Sequence, residues 1–204
     1  FVMLYFKFDT EHLLFSLVVL FAVTMMIFVF SFPKFHATQV AHVVFGVLYV
    51  PLMLGYIYRV RSLESGIYTV WLIYISSWVC DTFAYLTGVA VGKHKLAPIL
   101  SPKKSIEGSI GGILGSLLAG FLYWYCLLEN QIPGSMIGIL IVCGVGAVIS
   151  QTGDLAASAF KRNHEIKDYG HLIPGHGGIL DRFDSVIFTA PMIYYLLTFI
   201  VVKG

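Results

Sequence analysis

Residues 13–32 read LLFSLVVLFAVTMMIFVFSF, a run with no charged side chain. A helix of about 20 apolar residues spans the hydrocarbon of a bilayer. No water reaches that layer, so every backbone N–H and C=O must be satisfied internally, which a helix does and an irregular chain does not. Five more runs follow: Gln39–Ile57, Gly66–Val91, Ile110–Leu128, Ser135–Phe160 and Phe183–Val202. Of the 204 residues 58% are hydrophobic and 12% charged, against about 25% charged in a soluble domain. The expected fold is all-α: a polytopic transmembrane helix bundle of six spans with a polar cavity facing the cytoplasm. Residues 1–62 are expected to form N-terminal transmembrane helices and residues 63–204 a catalytic transmembrane core. The opening on Phe1 rather than Met is expected to reflect sequence that precedes it.

A net charge of +2 says little about partners; its distribution says more. If the linker between the third and fourth spans is cytoplasmic, so are the first and last linkers. That side then holds Lys34, Lys93, Lys95, Lys103, Lys104, Lys161, Arg162, Lys167 and Arg182, nine in all, against Lys7, Arg59, Arg61 and Lys203 opposite. This is the positive-inside pattern. It places the two long charged linkers on one membrane face, where they can build one site. A soluble nucleic-acid binder does not fit this composition, and no nucleic-acid partner is expected.

Asp81 and Asp154 stand within apolar spans, where an ionised carboxylate needs a partner or water. Each is either a structural acid paired with lysine or part of a polar cavity. Asp181 and Asp184 lie three apart at the start of the last span and share a face. Acids at a helix N-terminus are favourable without any further role. Carboxylates converging from different helices also suit a hard cation such as Mg2+. Lys93, Lys103, Lys104, Lys161, Arg162 and Lys167 fall on the same side, either attracting anionic lipid or neutralising phosphate. Acids for a cation beside bases for phosphate suit phosphoryl transfer, where catalysis is mostly positioning and charge neutralisation.

Gly170, Gly175, Gly177 and Gly178 allow close backbone approach to a ligand just before a helix N-terminus, a phosphate-binding setting. No GxxxxGK[ST] loop is present. His164, His171 and His176 match no common zinc spacing, and His176 reads as a phosphate donor or a turn residue. Cys80, Cys126 and Cys143 lie in apolar runs without CxxC spacing and read as buried small hydrophobes. The spacings Gly88/Gly92, Gly108/Gly112 and Gly111/Gly115 permit close helix packing, within one chain or across a homodimer.

Ser158, Lys161-Arg162, Lys167-Asp168, Gly170, Ile173-Pro174, His176-Gly177-Gly178-Ile179, Asp181-Arg182 and Asp184 together resemble the signature of phosphatidate cytidylyltransferases, also called CDP-diacylglycerol synthases. A second block, DTFAYLTGVAVGKHKLAPILSPKKSIEGSIGG from Asp81 to Gly112, resembles the family as well. The resemblance implies an integral membrane enzyme, in the inner membrane if the source is a bacterium, that makes CDP-diacylglycerol and pyrophosphate from CTP and phosphatidic acid with Mg2+. It leaves room for a second, monovalent cation such as K+.

Under that resemblance Asp154 and Asp181 are the metal-binding carboxylates, with Lys161 and Asp184 beside them in the catalytic set. Lys161, Arg162, Lys167 and His176 bind nucleotide or lipid phosphate. Ser101, Lys103 and Lys104 help enclose the substrates, and Asp81, Lys93, Gly177, Gly178 and Arg182 complete the substrate-binding set. Two features depart from the family pattern: fewer spans precede the core, and Ser105 stands where threonine is common. A related enzyme acting on an ether lipid or a polyprenol would share this pattern. An ion-coupled transporter using Asp81 and Asp154 would leave the HGG, DR and D positions without a purpose.

Overall fold

The computed structural model describes residues 10–129, 136–170 and 177–201. Among them six helices are long and apolar enough to cross a membrane: Glu11–Phe30, Ala37–Arg61, Gly66–Val91, Ile106–Leu127, Met136–Asn163 and Leu180–Ile200. They correspond one to one with the six expected runs, and the protein is a polytopic helical membrane protein. The chain forms two compact units, one ending at Leu52 and the other beginning at Met53.

In the first unit, α1 (Thr10–Phe30) and α2 (Ala37–Val47) pack along a groove lined by Leu17, Leu20, Phe21, Val43, Val44 and Leu48. Most of α1 is exposed and apolar on every side, which suits contact with lipid chains. The start of α2 is fixed by the Gln39 side chain, whose Oε1 accepts from the His36 N–H at 3.0 Å. A π turn, Leu48–Leu52, follows α2 and contains Pro51, which cannot donate to the helical ladder.

The second unit holds α3 (Met53–Arg61), the short helices α4 (Gly66–Thr69) and α5 (Trp71–Tyr74), and α6 (Cys80–Val91). It continues through strands β1 (Lys95–Ala97) and β2 (Ser101–Ser105) to α7 (Ile106–Tyr123), α8 (Met136–Asn163) and α9 (Leu180–Leu196). Its core is built from Val60, Leu72, Ile139, Val142, Val186 and Ile193, all fully buried. These come from α3, α5, α8 and α9, whose apolar faces meet there.

The close pairing of α6 with α7 depends on small residues. A Cβ on Gly108 would lie 2.6 Å from the Ala84 carbonyl oxygen, and one on Gly112 2.8 Å from that of Cys80. Gly111 and Gly115 likewise face Thr87 and Phe83 of α6. The small-residue spacings are thus taken up by packing within the chain.

The linker between α6 and α7 folds into an antiparallel hairpin, with Lys95 opposite Ser105 and Ala97 opposite Ser101. Ser105 ends the hairpin and caps α7: its Oγ accepts from the Gly108 N–H at 3.1 Å. This hairpin adds a small two-stranded element to an otherwise helical fold.

Candidate active site

Tyr169 and Gly178, between α8 and α9, are both drawn onto one carboxylate. Asp181, in the first turn of α9, takes the Lys161 ammonium on Oδ1 at 2.9 Å. Its Oδ2 accepts two backbone N–H groups, from Tyr169 at 2.8 Å and from Gly178 at 2.9 Å. The bond back to Gly178 satisfies a donor just ahead of the helix, as the acid of a capping box does. The side chain is 5% exposed. Gly177 has φ +80°, the left-handed region, and a Cβ there would come 3.1 Å from Asp181 Oδ2. Glycine is needed here to wrap backbone around an acid.

Lys161, at the C-terminal end of α8, is 11% exposed at its side chain and also reaches Asp184 Oδ2 at 3.7 Å. The Tyr169 ring stands 5.2 Å from its ammonium, and the phenol donates to the Ala157 carbonyl at 3.3 Å. Burial pushes the Tyr169 phenol above its ordinary pKa, while Lys161 pulls it down. Asp184 lies one turn past Asp181 and its Oδ1 accepts the Ser185 N–H at 2.8 Å. The Ser185 hydroxyl in turn donates to Asp81 Oδ2 on α6 at 3.1 Å.

Asp154 lies two helical turns before Lys161, on the same face of α8. It pairs with Lys104 of β2. Asp81, Asp154 and Asp184 lie within electrostatic range of one another, and Asp154 also acts on Lys161. Three helices, α6, α8 and α9, and the hairpin therefore contribute to one cluster. Asp181 and Asp154 hold separate lysines, and Asp184 is the acid that interacts with Asp81, Asp154 and Lys161 together.

Other expected site residues stand near or on the hairpin, at and beyond the end of α8, and in the first turn of α9. Lys93 and Lys103 are exposed near and on the hairpin, and Ser101 is half-buried opposite Ala97. Arg162 is exposed in the last turn of α8, and Lys167 is exposed beyond its end. Arg182 is exposed, and its carbonyl accepts the Trp78 indole N–H at 3.2 Å. His176 lies outside the described residues.

Four contributors escaped the sequence reading. Tyr169 donates its backbone to Asp181, and Ser185 tethers Asp81. Gln151 donates to the Ser109 carbonyl at 3.0 Å and to Cys80 Sγ at 3.4 Å, and accepts from the Ser109 hydroxyl. It ties α6, α7 and α8 together one turn before Asp154. A buried glutamine in an apolar run three residues ahead of an acid was the available signal. Glu107, the fourth, binds the approach to the hairpin.

Among the described residues, no three His, Cys, Asp or Glu side chains stand close enough to hold a metal unaided. The donor chemistry nonetheless fits Mg2+, which takes carboxylate oxygens, commonly one or two, and completes its shell with water and substrate phosphates. Asp81, Asp154, Asp181 and Asp184 against Lys104 and Lys161 give the cluster a formal charge of −2.

A model described as the cytidylyltransferase family matches residues 1–200. A protein of Staphylococcus aureus (strain COL) named phosphatidate cytidylyltransferase is 37% identical over 182 residues, covering 89% of this chain and 68% of its own. The protein of that name from Bacillus subtilis (strain 168) is 37% identical over 160 residues, 78% of this chain and 58% of its own. The one from Staphylococcus haemolyticus is 38% identical over 169 residues, 83% and 63% respectively. The family match runs through all six spans and every acid and lysine of the cluster, and the chain belongs to the cytidylyltransferase family.

Proposed function

We propose that this protein transfers the cytidylyl group of CTP to phosphatidic acid, giving CDP-diacylglycerol and pyrophosphate. The observation that carries the reading is the acid–lysine cluster of Asp81, Asp154, Asp181 and Asp184 with Lys104 and Lys161, which reaches from within the third and fifth spans to the start of the sixth. A lipid acceptor keeps its chains in the bilayer while its phosphate enters such a cluster, and a nucleotide arrives from water.

In the reaction a phosphate oxygen of phosphatidic acid attacks the α-phosphorus of CTP. The bond from that phosphorus to the β-phosphate oxygen breaks, and the electron pair leaves with pyrophosphate. The acceptor is already a nucleophile, so no covalent enzyme intermediate is required. Lys104 and Lys161 supply positive charge to phosphate oxygens and can exchange their carboxylate partners for them. Arg162, Lys167, Lys93 and Lys103 extend that charge outward, and Ser101, Arg182, His176 and the backbone at Gly177 and Gly178 complete the surroundings of the phosphates. Asp154 and Asp181 would hold Mg2+, with Asp184 beside them. When bound, the ion neutralises charge that develops on the triphosphate. A monovalent cation such as K+ is a further candidate for the acidic cluster.

Lys93, Lys103, Lys104, Lys161, Arg162 and Lys167 share the site's end of the spans, and this favours a cytoplasmic site. In a bacterium the membrane is the inner one.

The test is direct. Purified protein in detergent or liposomes, labelled CTP, phosphatidic acid and Mg2+ should yield CDP-diacylglycerol, and Asp154→Asn should abolish turnover while unfolding at the wild-type temperature. A fully active Asp154→Asn enzyme would refute the role of this acid. Turnover only with an ether-lipid phosphate or polyprenyl phosphate would refute the acceptor.

A further inference from the structure

The block SPKKSIEGS contains an acid, Glu107, to which the proposed chemistry assigns no part. It lies in the first turn of α7, and its carboxylate accepts three donors from the two residues after the α6 C-cap. The Lys93 N–H reaches Oε2 at 3.1 Å and the His94 N–H reaches it at 3.2 Å. The His94 ring Nδ1 lies 2.6 Å from Oε1. Beside this clasp the Ile106 N–H donates to the His94 carbonyl at 2.9 Å. Lys95 and Ser105 then close the base of the hairpin, and Ser105 caps α7.

Everything between His94 and Ile106 is therefore carried on one clamped base. Lys104 is the residue before Ser105, and successive strand residues face opposite sides. Fixing Ser105 against α7 turns Lys104 the other way, to Asp154 on α8. A favourable charge near a helix N-terminus needs only an acid in the first turn. Here the carboxylate is instead used by named donors from the linker that follows α6.

We infer that Glu107 is a positioning residue for the reaction: it clamps the hairpin so that Lys104 is delivered to the Asp154 end of the cluster. This rests on the role given to Lys104 above. It is tested by kinetics of CDP-diacylglycerol formation, with CTP and phosphatidic acid each varied, for Glu107→Ala, Lys104→Ala and the double variant. Glu107→Ala should lower kcat/KM about tenfold to a hundredfold, the scale of losing hydrogen bonds to a charged group. In the Lys104→Ala background the same change should cost no more than about a factor of two, because the residue it serves is gone.

Glu107→Gln keeps one acceptor oxygen for the two N–H groups and should recover much of the loss. Full multiplicative losses, or a wild-type rate for Glu107→Ala, would overturn the inference. A wild-type rate for Lys104→Ala would overturn the role of Lys104 and the inference with it, and the single variant alone reveals that case. If Glu107→Ala does not fold, His94→Ala and Glu107→Gln in both backgrounds should show the same non-additivity. Additive effects there would also overturn it.

Discussion

Replacing Lys161 by methionine is the sharpest perturbation of the cluster. Its ammonium lies 2.9 Å from Asp181 and 3.7 Å from Asp184, with side-chain exposures of 11%, 5% and 12%. At an effective dielectric constant of about 20, those separations correspond to gross attractions of roughly 6 and 4 kcal/mol. Desolvation of all three groups offsets much of this. What remains decisive is the state left behind: two buried acids without their cation. Removing one partner of a buried pair costs about 3–5 kcal/mol. For a chain of this size that is a fall in unfolding temperature of roughly 6–20 °C.

Asp181→Asn should cost less than Lys161→Met. The amide oxygen can still accept from Tyr169 and Gly178, and Lys161 keeps Asp184. In the double variant the loss should fall short of the sum by more than about 1 kcal/mol. Thermal unfolding of the four proteins in one detergent reads this cycle. Additivity within about 0.5 kcal/mol, or an unchanged midpoint for Lys161→Met, would refute the claim that this pair organises the α8–α9 junction.

Gln151→Leu should lower stability by about 1–3 kcal/mol, because the Ser109 hydroxyl and carbonyl lose their buried partner; thermal unfolding measures it. Gly177→Ala forces a side chain into the left-handed region and toward Asp181, at about 1–2 kcal/mol, read the same way. Gly112→Val places branched carbon against the Cys80 carbonyl and should prevent α6 from seating on α7, seen as loss of a monodisperse peak in size-exclusion chromatography.

The six spans were legible because one physical quantity, apolar length, decides them. Their ends were not, because helices run on into polar residues that hydropathy discounts. The fourth was expected from Ile110 and starts at Ile106, its first turn holding Glu107 and Ser109. The fifth was expected to end at Phe160 and runs on through Lys161 and Arg162 to Asn163, carrying the central lysine on the helix itself. The hairpin was hidden in the third linker, since its strands are short and carry Pro102 and charges that argue against sheet.

The acids and lysines of the site were legible by type, while their pairing was not. Lys93, Lys95, Lys103 and Lys104 are equivalent in composition, and nothing in the sequence selects one of them for a carboxylate on α8. What selects Lys104 is the alternation of β2, fixed at one end by the Ser105 cap and held to the residues after α6 by Glu107. Asp181 poses the same problem in reverse. Its place in a DR motif suggests a group that faces the substrate, yet its lone pairs are taken by Lys161, Tyr169 and Gly178. An acid already holding a lysine and two amides is rigid before any substrate binds. Engaging a cation there requires Lys161 to move its charge onto phosphate. Under the proposed function, transfer of Lys104 to phosphate would free Asp154 in the same way, so that arrival of the triphosphate would open both acids.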